Sequence, residues 1–193
     1  MSALGHCPTT ASAVPFPEGG EDRLPTRFAA AADIPVLHAL VERSYRGIMA
    51  REGWTHEADL VRGPRTDAAT LAATIADPAQ RVLLHDAGGV LVASVTITDH
   101  GDGIAYMGML AVEPGRQGGG IGRRMLAAAE RAAADVFGAT SIEMTVIAKR
   151  TELVAYYERC GYTQTGERRP FPVDVGAGRD ELEMTVLARN LPC

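Results

Sequence analysis

Between Met109 and Glu130 the chain reads MLAVEPGRQGGGIGRRMLAAAE, and the chemistry this stretch offers is anion binding. Gly118, Gly119, Gly120 and Gly122 fall within five positions, after Gln117 and just before Arg123 and Arg124. Glycines admit positive φ and let backbone approach a ligand closely, and the first turn of a helix leaves N–H donors unpaired. Those donors and the positive end of the helix dipole suit a pyrophosphate. Two arginines in the same turn oppose that dipole, so an external anion accounts for them. The Lys and Ser or Thr of a P-loop do not follow Gly122, and neither the spacing nor the acidic residue of a dinucleotide fingerprint is present. Taken alone, four glycines also read as a flexible loop.

The elements around this turn follow from periodicity. A strand is expected over residues 26–30, then a helix capped by Asp33 with Ile34, Leu37, Leu40 and Val41 at helical spacing. A second helix, capped by Thr66 or Asp67, stops before Pro78. RVLLHDAGGVLVASVTITD reads as a hairpin, GIAYMGMLAVE as a further strand, and residues 120–137 as an amphipathic helix. TSIEMTVIA is a strand, TELVAYYERC a short helix, and GYTQTGER and ELEMTVLARN are closing strands. The order β, α, α, β-β-β, α, β, α, β, β implies an α/β (α+β) domain with a mainly antiparallel sheet and helices on both faces. It fits poorly to an alternating βαβ array, because the glycine turn follows three consecutive strands.

Gln117, Gly120 and Gly122 form Q/R-x-x-G-x-G/A after LAVEP and before the helix, which resembles the pyrophosphate loop of the GNAT acetyltransferase superfamily. LVAYYERCGY, Leu153 to Tyr162, resembles that superfamily's late A-x-x-F-Y-E-x-x-G-F signature. The resemblance spans Thr26 to about Arg189, with its specific motifs confined to those two stretches. It implies a mixed sheet splayed between the fourth and fifth strands and acetyl-CoA as cosubstrate, with no metal. It also implies N-acetylation of a small-molecule or peptide amine by direct attack in a ternary complex. Leu110, Ala111 and Val112 then match the strand that pairs with the pantetheine arm. Gln117, Gly118, Gly119, Gly120, Ile121, Gly122 and Arg123 match the pyrophosphate cradle. Tyr157 matches the general acid for the leaving thiolate, and Tyr156 is read as core, since adjacent helical positions point about 100° apart. A phenol's intrinsic pKa of about 10 lies close to that of a thiol leaving group. The sequence departs from the family at Arg150, where many members carry Asn, and at Thr145, where some carry a glutamate base. Glu143, two residues earlier on the same strand face, is a candidate base or relay, and Tyr106 another relay.

Substrate contacts are sought in GWTHEADLVRGPRT, between the first two helices, a region that lines the acceptor pocket in related folds. Trp54 either walls an apolar acceptor or anchors the loop to the core, with Glu57, Asp59 or Arg65 supplying charge. GERRPFPVDVGAGRDE is a long connection that shapes the acceptor entrance or stays mobile. A rival reading of the whole chain is a non-catalytic acetyl-CoA sensor or assembly module, and O-acylation is a lesser one.

Composition narrows the rest. A net charge of −5 gives no global basic field for nucleic acid. No apolar run approaches the roughly 20 residues of a membrane helix, so no membrane span is expected. Cys7, Cys160 and Cys193 show neither a disulfide framework nor metal spacing, which points to a reducing cytoplasm, with Cys160 a buried thiol. Without a Cys–His pair, a covalent acyl-enzyme is not expected. Residues 1–24 read as a flexible tail without the regions of a secretory signal, and 25–193 as one domain. Homodimerisation is common in the resembled family and possible here.

Overall fold

Along VLVASVTITD, alternate residues take opposite faces: Ala93, Val95 and Ile97 on one, Ser94, Thr96 and Thr98 on the other. The computed structural model builds its sheet around this strand and describes residues 23–46, 50, 60, 61, 63–172 and 182–192. The strands are β1 (Arg27–Phe28), β2 (Gln80–Ala87), β3 (Val90–Asp99), β4 (Ile104–Val112), β5 (Ser141–Ile147), β6 (Thr163–Pro170) and β7 (Glu183–Asn190). They lie in the order β1-β2-β3-β4-β5-β7-β6, antiparallel throughout except for the parallel neighbours β4 and β5. The helices among the described residues are α1 (Ile34–Tyr45), α2 (Ala68–Ala76), α3 (Ile121–Phe137) and α4 (Thr151–Arg159). Among the described residues the expected order of these strands and helices is the observed one.

Each face of the sheet closes on its own helices. Ala93, Val95 and Ile97 pack with Met125, Ala129 and Ala133 of α3 and with Leu153, Val154 and Tyr157 of α4. Val82 and Leu84 pack on the other face with Leu37, Leu40 and Val41 of α1 and Leu71 of α2. Burying a side chain of this size contributes about 1.5–3 kcal/mol. On the second face, toward β5 and β7, Val61, Ile147 and Leu182 make a small cluster of their own.

Local chemistry sets the ends. Asp67 caps α2, accepting from the Thr70 amide at 2.8 Å, and these bonds hold its carboxyl below the usual range. Asp33 does not cap α1 with its side chain. Its carboxylate instead accepts from the two terminal Arg27 nitrogens, Nη1 and Nη2, at 2.8 Å and from the Ala30 amide at 2.8 Å, joining the start of the sheet to the first helix. Leu24, assigned from sequence to the tail, is buried in the α3-side core. Residues 1–22 lie outside the described residues.

One buried polar cluster ties α3 to the chain after α4. The Tyr162 hydroxyl donates to Glu130 Oε1 at 2.8 Å, and Arg189 donates to the same oxygen at 3.1 Å and to the Cys160 carbonyl at 3.0 Å. Burial pushes the Glu130 carboxyl above its ordinary value despite both partners.

Candidate active site

The register of β4 is where the site begins. β4 and β5 pair only through Ile104, Ala105 and Tyr106, opposite Ser141, Ile142 and Glu143. On its other edge β4 bulges: Gly108 faces Thr96 and Ala111 faces Ser94, so Met109 and Leu110 together oppose Val95. Met109 accommodates the extra residue at φ +50°, a conformation costly for a side-chain-bearing residue. Strain of this kind persists where the surroundings over-determine it, often at functional sites. The bulge follows just after the pairing with β5 stops, and there the two strands part, while β4 stays paired to β3 through Ala111 and Val112.

A cavity of about 550 Å³ occupies the gap. At one end lie Gln117, Gly118, Gly120, Gly122 and Arg123, with Leu153, Tyr156 and Tyr157 of α4 and Arg150 at its N-cap. At the other lie Thr74, Gln80, Thr96, Thr98, Tyr106 and Thr145. The register explains this division. Tyr106 is paired with Thr98, and Thr98 with Gln80, so these three share the face covered by α1 and α2. Tyr157 belongs to the opposite face, with α3 and α4. The cavity thus passes through the sheet at the seam between β4 and β5.

The glycine turn takes the form its sequence predicts. Gly118 and Gly120 hold φ of +84° and +78°, which a Cβ disfavours, and Gly120 is the N-cap of α3. Gly122 serves differently: a Cβ there would meet the Tyr156 hydroxyl at 3.3 Å. The turn places helix N–H donors and Arg123 at one end of the cavity, an arrangement suited to a pyrophosphate. Gly119 and Ile121 are not among the lining residues, and Ile121 packs against the core.

Of the three matched strand residues, Leu110 and Val112 line the cavity, while Ala111 is buried against the α1 side. Two carbonyls of this strand are held from α1, which the sequence reading missed. Tyr45 donates its hydroxyl to the Leu110 carbonyl at 2.6 Å, and the Ser44 hydroxyl is shared between the Leu40 carbonyl of its own helix at 2.8 Å and the Val112 carbonyl at 3.2 Å. The Arg65 guanidinium lies 5.1 Å from the centroid of the Tyr45 ring. The signal available was two polar residues ending an otherwise apolar helical stripe.

Both tyrosines of α4 line the cavity; Tyr156, read as core, packs half-buried against the α3-side core, and Tyr157 is a buried member of that core. Tyr157 is buried, and desolvation holds its phenol protonated well above the ordinary value, with the Tyr45 and Tyr156 phenols adding to the effect. Burial raises Tyr156 as well, next to Cys160. Cys160 is a buried free thiol, itself raised by burial.

Glu143 is not among the residues that line the cavity. Its carboxylate accepts from Arg169 at 2.9 and 3.3 Å, with His100 Nδ1 3.7 Å away. Tyr106 lies at the seam itself, its hydroxyl 2.8 Å from Thr145 Oγ1 and its ring stacked on His100. Arg65 and Phe171 line the cavity, whereas Trp54, Glu57 and Asp59 lie outside the described residues. Among the described residues there is no group of three or more His, Cys, Asp or Glu that could hold a metal. No helix among them is long and apolar enough to cross a membrane.

Comparison with known proteins agrees with this geometry. The model of the acetyltransferase (GNAT) family matches residues 38–162. No curated protein matches the sequence. Among solved structures, the ribosomal-protein-alanine N-acetyltransferase from Brucella melitensis is similar with a TM-score of 0.65 at 19% identity, over 87% of this chain and 100% of that one. A mutant spermidine N-acetyltransferase from Vibrio cholerae gives 0.65 at 17%, over 87% and 95%. The yncA protein from Salmonella typhimurium, solved with its cofactor acetyl-CoA, gives 0.63 at 19%, over 88% and 94%.

Proposed function

Because the chain belongs to the GNAT acetyltransferase family, we propose that it transfers an acetyl group from acetyl-CoA to the primary amine of a small molecule or peptide, by direct attack in a ternary complex. The observation that carries this reading is the continuous cavity through the β4–β5 seam, with a phosphate-type turn at one end and hydroxyl groups at the other. Two substrates entering from opposite faces would meet at Leu110.

The residues present fit acetyl-CoA, which supplies the acetyl group as an activated thioester. Gln117, Gly118, Gly120 and Arg123 would hold its pyrophosphate, and the freed edge of β4 at Leu110 and Val112 would pair with its extended arm. Tyr45 fixes the Leu110 carbonyl, which orients the neighbouring backbone toward the reacting centre. Tyr157, kept protonated by burial, gives a proton to the departing sulfur as the new N–C bond forms and the C–S bond breaks. The acceptor's surplus proton leaves toward solvent past the Tyr106–Thr145 pair, which is open to the same cavity. Glu143, engaged by Arg169, is not assigned the base. The scattered cysteines favour a reducing cytoplasm as the setting.

Thermal unfolding with acetyl-CoA, with free CoA and with ATP tests this reading. A ligand at about 100 times its Kd adds roughly 2.7 kcal/mol, which raises Tm by roughly 5–10 °C in a domain of this size. Both CoA forms should shift the transition and ATP should not. Absence of a shift at saturation overturns the assignment. A shift without thiol release in the presence of any amine would indicate a binding module instead.

A further inference from the structure

We propose that residues 14–17 of this chain, VPFP, fold back and fill the groove between β1 and α3, strapping the edge of the sheet to that helix. The inference stands apart from the acetyl-transfer reading, because this groove shares no lining residue with the β4–β5 cavity.

The groove holds about 500 Å³. Leu24, Leu83 and Ala128 are its buried lining residues, while Phe28 and Val136 stand in it at 47% and 39% exposure. A single exposed apolar side chain is ordinary, but an aromatic ring and a valine sharing one groove leave apolar surface that a cover would take out of water. The polar lining residues are Arg23, Thr26, Arg27, Arg131 and Asp135, and none of them is buried. Nothing there fixes the orientation of a small polar molecule, so the groove suits an apolar stretch of chain.

Charge and position select the stretch. Arg27 is engaged by Asp33 and Asp86, whereas Arg23 and Arg131 make no ion pair among the described residues. Two cations therefore flank the apolar surface, with Asp135 the one acid among the lining residues. The chain enters the groove at a fixed point: Leu24 is buried in the α3-side core, and the Pro25 carbonyl accepts from His85 Nδ1 at 2.8 Å. Immediately before Arg23, residues 14–22 read VPFPEGGED. The apolar half of that run matches the groove, and Glu18, Glu21 and Asp22 match the two arginines.

Reach and backbone chemistry agree. Phe16 precedes Arg23 by 7 residues, an extended reach of roughly 24 Å. Ala128 and Val136 stand only about 12 Å apart along α3. Gly19 and Gly20 supply the reversal, since a Gly-Gly pair accepts the positive φ of a tight turn. Pro15 and Pro17 hold the returning limb extended before it docks, which lowers the entropy lost and suits a groove with an aromatic wall.

The test uses the purified full chain. Benzoylphenylalanine in place of Phe16, irradiated at low micromolar concentration, should join position 16 to a peptide of the same chain that contains Phe28 or residues 128–136. No attachment, or attachment elsewhere, overturns the strap, and a covalent dimer as the main product would seat a second copy in the groove instead. Val136→Ala then reads the contact as stability. Alanine favours helix more than valine does, so with the groove empty this change should leave Tm level or raise it. With residues 14–17 seated it removes packed methyl groups, and Tm should fall by roughly 1–3 °C. Phe16→Ser should lower Tm by a similar amount and abolish the fall caused by Val136→Ala. An equal response to Val136→Ala in both backgrounds overturns the proposal.

Discussion

The Tyr106 hydroxyl and Thr145 Oγ1 stand 2.8 Å apart, just past the point where backbone pairing between β4 and β5 ends. A side-chain bond thus spans the seam where the ladder has stopped. It fixes the width of the opening through which the cavity passes and keeps the Tyr106 ring beside Gly108.

Removing either partner should loosen the seam. Tyr106→Phe and Thr145→Val should each cost roughly 0.5–1.5 kcal/mol, the net worth of one such bond. Because both act on the same contact, the double variant should cost less than the sum. Urea unfolding of the four proteins in that cycle measures the coupling. Strict additivity would show that the bond contributes nothing to stability.

Gly122 offers a test of the cradle. Alanine at an exposed helix interior gains up to about 1 kcal/mol over glycine, but here its Cβ would meet the Tyr156 hydroxyl at 3.3 Å. Gly122→Ala should therefore gain little or lose stability in the native background. In a Tyr156→Phe background it should stabilise by roughly 0.5–1 kcal/mol. Tm values of the single and double variants decide it, and an equal effect in both backgrounds would remove the contact from the argument.

Tyr157 carries the kinetic prediction. Tyr157→Phe should lower kcat by roughly 10²-fold while leaving acetyl-CoA affinity within about 2-fold, since it removes a proton donor and keeps the ring's packing. Burial raises the phenol, so the acid form stays filled up to and beyond the ordinary tyrosine value of about 10. The alkaline limb of kcat should accordingly be absent below that pH. A fall in kcat with rising pH in the range 8–9 would assign the acid to another group.

Much of this was legible in the chain because two local patterns are strict. Gly118 and Gly120 occupy backbone conformations that a side chain resists, so the turn is written into residue type. Alternation in SVTITD and the 3.6-residue period after Gly120 fix which faces are buried, and with them the element order. What could not be read is whatever depends on strands meeting. The β4 bulge places a positive φ on Met109, a residue with no turn signal, and only the register shows it. Glu143 is a candidate base or relay only by its place two residues before Thr145 on one strand face, but Arg169 reaches it from β6, 26 residues away. Tyr45 and Thr96 belong to the site only because α1 and β3 flank that bulge. Nothing in their own neighbourhoods distinguishes them from an ordinary helix end and an ordinary strand.

The buried cluster of Tyr162, Glu130 and Arg189 gives a prediction for stability against pH. Burial, with the Glu130 carboxylate beside it, pushes the Tyr162 phenol well above its ordinary value. A group raised in the folded state contributes stability that is fully present below its unfolded pKa, here about 10, and is lost as pH rises toward the folded value. Tyr156 and Tyr157 are raised in the same direction, so Tm should hold level from neutral pH and fall steeply once pH passes about 10. Tyr162→Phe removes one donor from a buried carboxylate and should cost roughly 1.5–3 kcal/mol at neutral pH, as hydrogen bonds to charged groups do. The same variant should show a shallower alkaline fall, because one of the three raised phenols is gone. Tm measured from pH 7 to 11 in both proteins tests the two effects together: a parallel descent of the curves would mean that Tyr162 titrates as an exposed phenol, whatever its cost at neutral pH.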